Sequence, residues 1–339
     1  MVIRNVAFEG GGMKGMVYMG CCKFLYTHKM LGDIKAVSGS SIGAVFVLLL
    51  VILKSCEITM DDLESIVLSF NLSKLFKFPS VLEYPQAVST FMDDFGVMDG
   101  IVMENVFGEI LKKYFGKSEI SFIELYEKTG VEMVLTGTNL SKMRTDFFSH
   151  VTDPDMWVKH AMRISCTYPF VFKPVMYHNN MYVDGGLYHN FPITYWDKDT
   201  QNNETIGFSI TTKEVRDRTF PDITNVTDYS FRIINSMIEN INEKNYTEYD
   251  PLKRITKNDY RNIEIVTSDT IDASNFDLPL DDLETLYAQG FNTTASYFEI
   301  KERIDNNDID FESKVKNRDP EPESCLSRFC CCLTNCFRS

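Results

Sequence analysis

The chain has 339 residues, 44% hydrophobic and 13% aromatic, which suits one large core or two modest ones and excludes a disordered chain. A formal net charge of −14 without a basic block argues against a nucleic-acid partner and against electrostatic attraction to anionic lipid. The opening Met1-Val2-Ile3-Arg4-Asn5-Val6-Ala7-Phe8 runs straight into glycines and leaves no room for a secretory h-region. An intracellular, cytoplasmic and reducing setting is therefore expected, with Cys21, Cys22, Cys56 and Cys166 as free thiols.

Val2 to Phe8 reads as a strand and Met16 to Met30 as a helix with Val17, Cys21, Phe24 and Leu25 on one face. Between them lies Glu9-Gly10-Gly11-Gly12-Met13-Lys14-Gly15. A glycine-rich turn at a helix N-terminus is an anion cradle, because its N–H groups are unpaired and no side chain blocks approach. Phosphate, a dinucleotide pyrophosphate and the oxyanion of an acyl-transfer intermediate are the three anions to weigh. A P-loop is excluded, since no Gly-Lys-Ser/Thr follows. Gly10-x-Gly12-x-x-Gly15 has the dinucleotide form, but the acidic residue at the right sequence distance, Asp33, precedes the next strand and falls at the wrong end of a sheet. The oxyanion is favoured because that next strand delivers a serine.

Lys35 to Ser38 reads as a short buried strand. Ile42 to Leu53 reads as a buried helix; its 12 residues are fewer than the roughly 17 needed to span a bilayer. Gly39-Ser40-Ser41-Ile42-Gly43 between them is G-x-S-x-G at a strand-to-helix corner, a turn that exposes the serine Oγ. Gly39 and Gly43 keep side chains out of the turn, and the helix points its positive end at the same spot. Ser41 is the candidate nucleophile.

Further along, Asp61 to Phe70 is helical, and Phe70 to Phe95 is rich in large apolar residues but broken by Pro79 and Pro85. That stretch is either a packing excursion or an apolar cap that touches lipid. Helices are expected at Met103–Phe115, Ser121–Tyr126 and Met156–Ser165, and a strand at Val131–Thr138. Thr167 to Pro174 reads as an aromatic, proline-bearing loop. A short strand, Met181–Val183, delivers Asp184-Gly185-Gly186. Strands at Thr205–Ile210 and Ile263–Thr267 enclose a long helix marked by Phe231, Ile234, Ile238 and Ile241, and Leu283–Phe298 is a last helix. Alternating strands and helices indicate an α/β sheet covered on both faces.

From Lys301 to Ser324 charge, Asn and Pro replace large apolar residues, as in a disordered linker. Cys325, Cys330, Cys331, Cys332 and Cys336 then crowd the last 15 residues beside Leu326, Phe329, Leu333 and Phe337. Three consecutive cysteines suit one zinc poorly, so reversible S-acylation and a peripheral membrane location through this tail are expected. Cys336-Phe337-Arg338-Ser339 has C-a-a-X form, but Arg338 is not aliphatic. The expected organisation is a catalytic domain at 1–300, a linker at 301–324 and a cysteine-rich tail at 325–339.

Gly10-Gly11-Gly12-Met13-Lys14-Gly15, Gly39-Ser40-Ser41-Ile42-Gly43 and Asp184-Gly185-Gly186, together and in this order, resemble the patatin-like phospholipase family. His160 to Pro169 is similar to that family's small-residue helix before a proline, and Asn275-Phe276-Asp277-Leu278 to its closing segment, so the resemblance spans residues 2–298. It implies a three-layer α/β/α fold with a mostly parallel central sheet. It implies Ser41 as nucleophile, Asp184 as base, and amides around Gly10, Gly11, Gly12 and Met13 as the oxyanion hole. It also implies hydrolysis of phospholipid or other lipid esters; no metal or cofactor is expected, since no Asp-rich ligand loop of the needed spacing is present, and a membrane surface is the expected partner. The chain departs mildly from the pattern: Gly186 stands where alanine is common, Lys14 replaces an arginine, and Cys166 takes the place of a small residue. His160, His178 and His189 do not occupy the late loop of a Ser…Asp…His triad, and His189 comes only five residues after Asp184, too close to be oriented by it in the usual way, so Asp184 would act alone, its weak basicity raised by burial. A catalytically silent membrane-interaction protein and a dinucleotide-binding enzyme are the competing readings.

Overall fold

The computed structural model describes residues 2–69, 91–197, 204–220, 222–224, 229, 232–238, 261–268, 271 and 278–305. Residues 70–90, Phe231 and Ile241 of the expected long helix, Asn275 to Asp277, and everything beyond 305, the five tail cysteines included, lie outside them. The chain forms two compact units, residues 1–294 and 295–339. In the second, the described residues are helical; the Tyr297 and Phe298 rings meet edge to face and Lys301 Nζ lies 5.6 Å from the Tyr297 ring centre.

The first unit is a mixed α/β layer structure. Its strands are β1 (Asn5–Phe8), β2 (Ala36–Gly39), β3 (Gly96–Met98), β4 (Glu132–Asn139), β5 (Arg144–Phe148), β6 (Phe170–Phe172), β7 (Val175–Tyr177), β8 (Asn180–Asp184), β9 (Thr205–Thr212) and β10 (Asn262–Thr267). The main sheet runs β10-β9-β1-β2-β4-β8-β7, with β5 also on β4, and β3 and β6 form a separate two-stranded ribbon. Pairing is parallel from β10 to β4 and antiparallel among β4, β5, β7 and β8. The fold is thus three-layered with a mostly parallel central sheet.

Alternation along β1 distributes its side chains to two cores. Phe8 turns toward Tyr18, Phe46 and Phe208, with ring centres 5.1, 6.2 and 5.4 Å away. Tyr18 lies on α1 (Val17–Thr27) and Phe46 on α2 (Ile42–Ser55). Ala7 faces the other way onto Phe191 and Ile193, and Ala36 and Val134 continue that layer onto Trp196. Helix α2 is buried from Gly43 to Leu53, which accounts for an apolar run without a polar face.

The remaining helices are α3 (Met60–Ser69), α4 (Ile101–Phe115), α5 (Phe122–Thr129), α6 (Val158–Ser165), α7 (Gly186–His189), α8 (Lys213–Asp217) and α9 (Leu280–Asp305). Ser121 caps α5 in a capping box: its Oγ accepts from Glu124 N at 3.3 Å, and Glu124 accepts from Ser121 N at 2.8 Å. Several expectations need correction. The first helix does not start at Met16 and reach Met30. Instead a tight turn over Gly12–Met16 precedes α1, which ends at Thr27. Phe170–Phe172, expected as loop, is β6. Helix α9 continues through Asp305, so the first residues of the expected linker are helical. Residues 232–238 are helical, as the sequence pattern indicates.

Candidate active site

Ser41, separated from the end of β2 by Ser40, forms the N-cap of α2, at φ 52° and ψ −125°. Positive φ is unfavourable for a residue with a side chain and persists only where the surroundings enforce it. Here Gly43 N bonds Ser40 O at 2.7 Å and Ala44 N bonds Ser41 O at 2.9 Å, closing the first helical turn around the strained residue. Ser41 N donates to Ser165 Oγ at 3.1 Å, and Cys166 Sγ lies 3.2 Å from Ser41 O. The end of α6 therefore fixes the serine backbone from outside.

Ser41 and Asp184 are brought together by the register of β4. Gly39, at the end of β2, pairs with Leu135, whereas Gly137 pairs with Asp184 at the end of β8. Leu135 also pairs with Phe148 of β5, so β2 and β5 flank β4 on opposite sides. Gly137 pairs with both Asp146 of β5 and Asp184, which puts β8 on the β2 side. Running antiparallel, β8 takes over the edge of β4 where β2 stops, and the two strand ends point at one another. A Cβ at Gly185 would strike the side chain and carbonyl of Thr136, so only glycine lets this turn lie flat on β4.

The Asp184 carboxyl is buried. Oδ1 accepts from Gly186 N at 2.8 Å, and Oδ2 has no formed hydrogen bond. Burial pushes its pKa up to about 7, opposed by the Gly186 amide and, more weakly, by the nearby Ser41 side chain. The serine contact favours the charged carboxylate yet falls short of a formed hydrogen bond, a looseness common in sites without substrate. Burial also raises the Cys166 thiol well above its ordinary value, and the charge of Asp184 adds to that. That thiol is a proton-bearing neighbour of the serine, not a rival nucleophile.

The glycine loop sits against Ser41. A Cβ at Gly10 would lie 3.1 Å from Ser41 Cβ and would collide with Asn190 Oδ1. Gly11 and Gly12 are part-exposed, Gly12 has φ 56°, and Met13 is buried. The amides of Gly12 and Met13 open the tight turn and have no acceptor within it. Glu9 and Asn190 hold this loop to the Asp184 turn, a connection with no signature in the sequence. Asn190 Nδ2 donates to Glu9 Oε1 at 3.2 Å and Gly10 O at 3.0 Å, while Gly10 N donates to Asn190 O at 3.1 Å. Glu9 Oε2 accepts from Ile210 N at 2.9 Å.

The histidines stand apart from the pair. His160 Nδ1 faces Glu104 at 3.4 Å and His178 stacks on Tyr177. His189, half-buried, packs edge to face on Phe147, and desolvation lowers its pKa. Asp33 ends a tight turn ahead of β2, at the far end of that strand from the glycine loop. It has no ribose to meet there.

Residues 6–196 match the family model described as patatin-like phospholipase. The chain belongs to the patatin-like phospholipase family. An uncharacterized protein of Acanthamoeba polyphaga mimivirus is 28% identical over 296 residues, covering 86% of this chain and 92% of the relative. A protein of Invertebrate iridescent virus 6, named a probable lipid hydrolase, is 29% identical over 195 residues, 56% of this chain and 62% of that relative. The crystal structure of VipD from Legionella pneumophila shares the fold of this patatin-like chain, with a TM-score of 0.51 and 15% identity over 88% of this chain and 67% of that one. The three glycine-bearing blocks that carry the resemblance, with Ser41 and Asp184, fall inside the matched region.

Proposed function

We propose that the chain is a lipid acyl hydrolase of phospholipase A type, with Ser41 as nucleophile and Asp184 as its base. The observation that carries this reading is a buried carboxyl poised near pH 7 beside a strained serine at a helix N-terminus. Asp184 Oδ2 takes the Ser41 proton as Oγ attacks the ester carbonyl. The amides of Gly11, Gly12 and Met13, with Gly10 setting the approach of the loop, receive the charge that develops on the carbonyl oxygen. Collapse releases the alcohol half of the lipid, which takes the proton from Asp184. Asp184 then deprotonates a water that attacks the acyl-serine, and Ser41 is restored.

The test is hydrolysis of a phospholipid and of a soluble nitrophenyl ester by Ser41→Ala and Asp184→Asn. Both variants are expected to fold and to lose about 10³-fold or more in kcat. Wild-type turnover by Asp184→Asn rejects the dyad. Activity is expected to survive a chelator, and its loss there would show that the reading omits a metal.

A further inference from the structure

Phe95 and Phe170 each violate two ordinary preferences. Both are about half exposed, at 57% and 49%, and both have left-handed backbone, with φ 61° and 68°. A bulky side chain at positive φ is a true outlier, held only where surrounding structure compels it. The compelling structure is the β3–β6 ribbon: Gly96 pairs with Phe170 and Met98 with Phe172, and Lys173 N bonds Met98 O at 2.9 Å. Phe91 and Met92, in the helical turn just before Phe95, are also exposed, at 37% and 69%. The Phe91 and Phe170 ring centres are 6.0 Å apart, so these side chains form one ridge.

The ridge adjoins the catalytic pair through a short, bonded segment. Ser165 and Cys166 touch the Ser41 backbone, and Asp184 N donates to Thr167 O at 2.8 Å. Phe170 is three residues further, no more than roughly 11 Å of extended chain. Two acidic groups beside the ridge are paired: Asp94 with Lys173 at 2.7 Å, and Asp99 with Arg163 at 3.4 Å. Among the described residues, the ridge thus offers apolar surface without a cluster of basic side chains, on a chain of net charge −14.

We infer that Phe91, Met92, Phe95 and Phe170 dock the Ser41–Asp184 site onto a lipid surface of neutral or zwitterionic headgroups. The inference rests on the lipid-ester reading above. Apolar insertion, not charge, provides the attraction, since anionic lipid would repel the chain. A protein seated on the same ridge would crowd the mouth of the site, whereas a lipid layer presents substrate to it.

The test compares the full-length wild-type chain, Ser41→Ala and the double variant Phe95→Asn/Phe170→Asn on phosphatidylcholine vesicles. Asparagine tolerates left-handed backbone, so the double variant removes the apolar surface while relieving strain. Its vesicle affinity is expected to fall roughly tenfold or more. Its melting temperature is expected to hold or rise, and its rate on a soluble ester to stay within about twofold of wild type. Ser41→Ala is expected to bind vesicles as wild type does. Unchanged vesicle binding by the double variant overturns the inference, as does failure of the wild-type chain to bind. Parallel losses of melting temperature and soluble-ester rate also overturn it, since they make the ridge part of the core. If the wild type binds vesicles through the ridge but cleaves no ester, the catalytic reading fails and the docking surface stands.

Discussion

Asp184, the proposed base, is held by burial in a state that costs the fold stability. Its carboxyl has a pKa of about 7 when folded against an ordinary value of 3.8. Between those values the folded state binds more protons than the unfolded one, so the Asp184 contribution to stability falls as pH rises from about 4 to 7. In the proposed mechanism activity runs the other way, because only the deprotonated carboxylate can accept the serine proton. Asp184→Asn is therefore expected to match wild type in stability near pH 4 and to exceed it at pH 8, by as much as roughly 4 kcal/mol. Thermal melts across that range check the sign; a variant less stable than wild type at pH 8 contradicts it. The same burial explains what was legible at this scale. Ser41 and Asp184 stand out in the sequence because glycines frame them, whereas Glu9 and Asn190 are ordinary polar residues 181 positions apart, joined only by the folded chain. The sequence could not show that contact, because no local rule links residues at that separation.

At the scale of elements, close backbone approach does much of the positioning. Helices α1 and α9 cross glycine on glycine: a Cβ at Gly20 would strike the Tyr287 carbonyl, and one at Gly290 the Val17 carbonyl. Both collisions are with backbone, which a rotamer change cannot relieve. Gly290→Val is expected to destabilise the fold by about 3 kcal/mol or more, read as a lowered denaturation midpoint at unchanged slope. A midpoint equal to wild type would mean that the helices do not approach as described. The long apolar run of α2 and the alternation of strands with helices were readable from periodicity and local chemistry. The β7–β8 hairpin was not, because its two-residue turn is His178-Asn179, at φ 45° and 61°, without the glycine that usually marks such a turn. Nor was β6, a three-residue strand between two prolines whose pairing with β3 is set by tertiary contact.

For the whole molecule, the family model covers the sheet through Trp196 and the whole constellation of glycine loop, serine elbow and Asp184 turn. No helix among the described residues is long and apolar enough to cross a membrane. Membrane contact is proposed through surface and tail. Cys325, Cys330, Cys331, Cys332 and Cys336 would add acyl anchors to the docking ridge, since two or more chains hold a protein stably where one does not. Deleting residues 325–339 is expected to move the chain from membrane to soluble fractions of cells while sparing soluble-ester hydrolysis. Membrane association that survives both the deletion and hydroxylamine rules the anchor out. The central claim is the serine nucleophile with its aspartate base, and fluorophosphonate labelling followed by peptide mapping tests it most directly. The account predicts a single adduct, on Ser41, formed at a rate that rises with pH through about 7 and is lost in Asp184→Asn. An adduct on another residue, or labelling of Ser41 at full rate in Asp184→Asn, would contradict it.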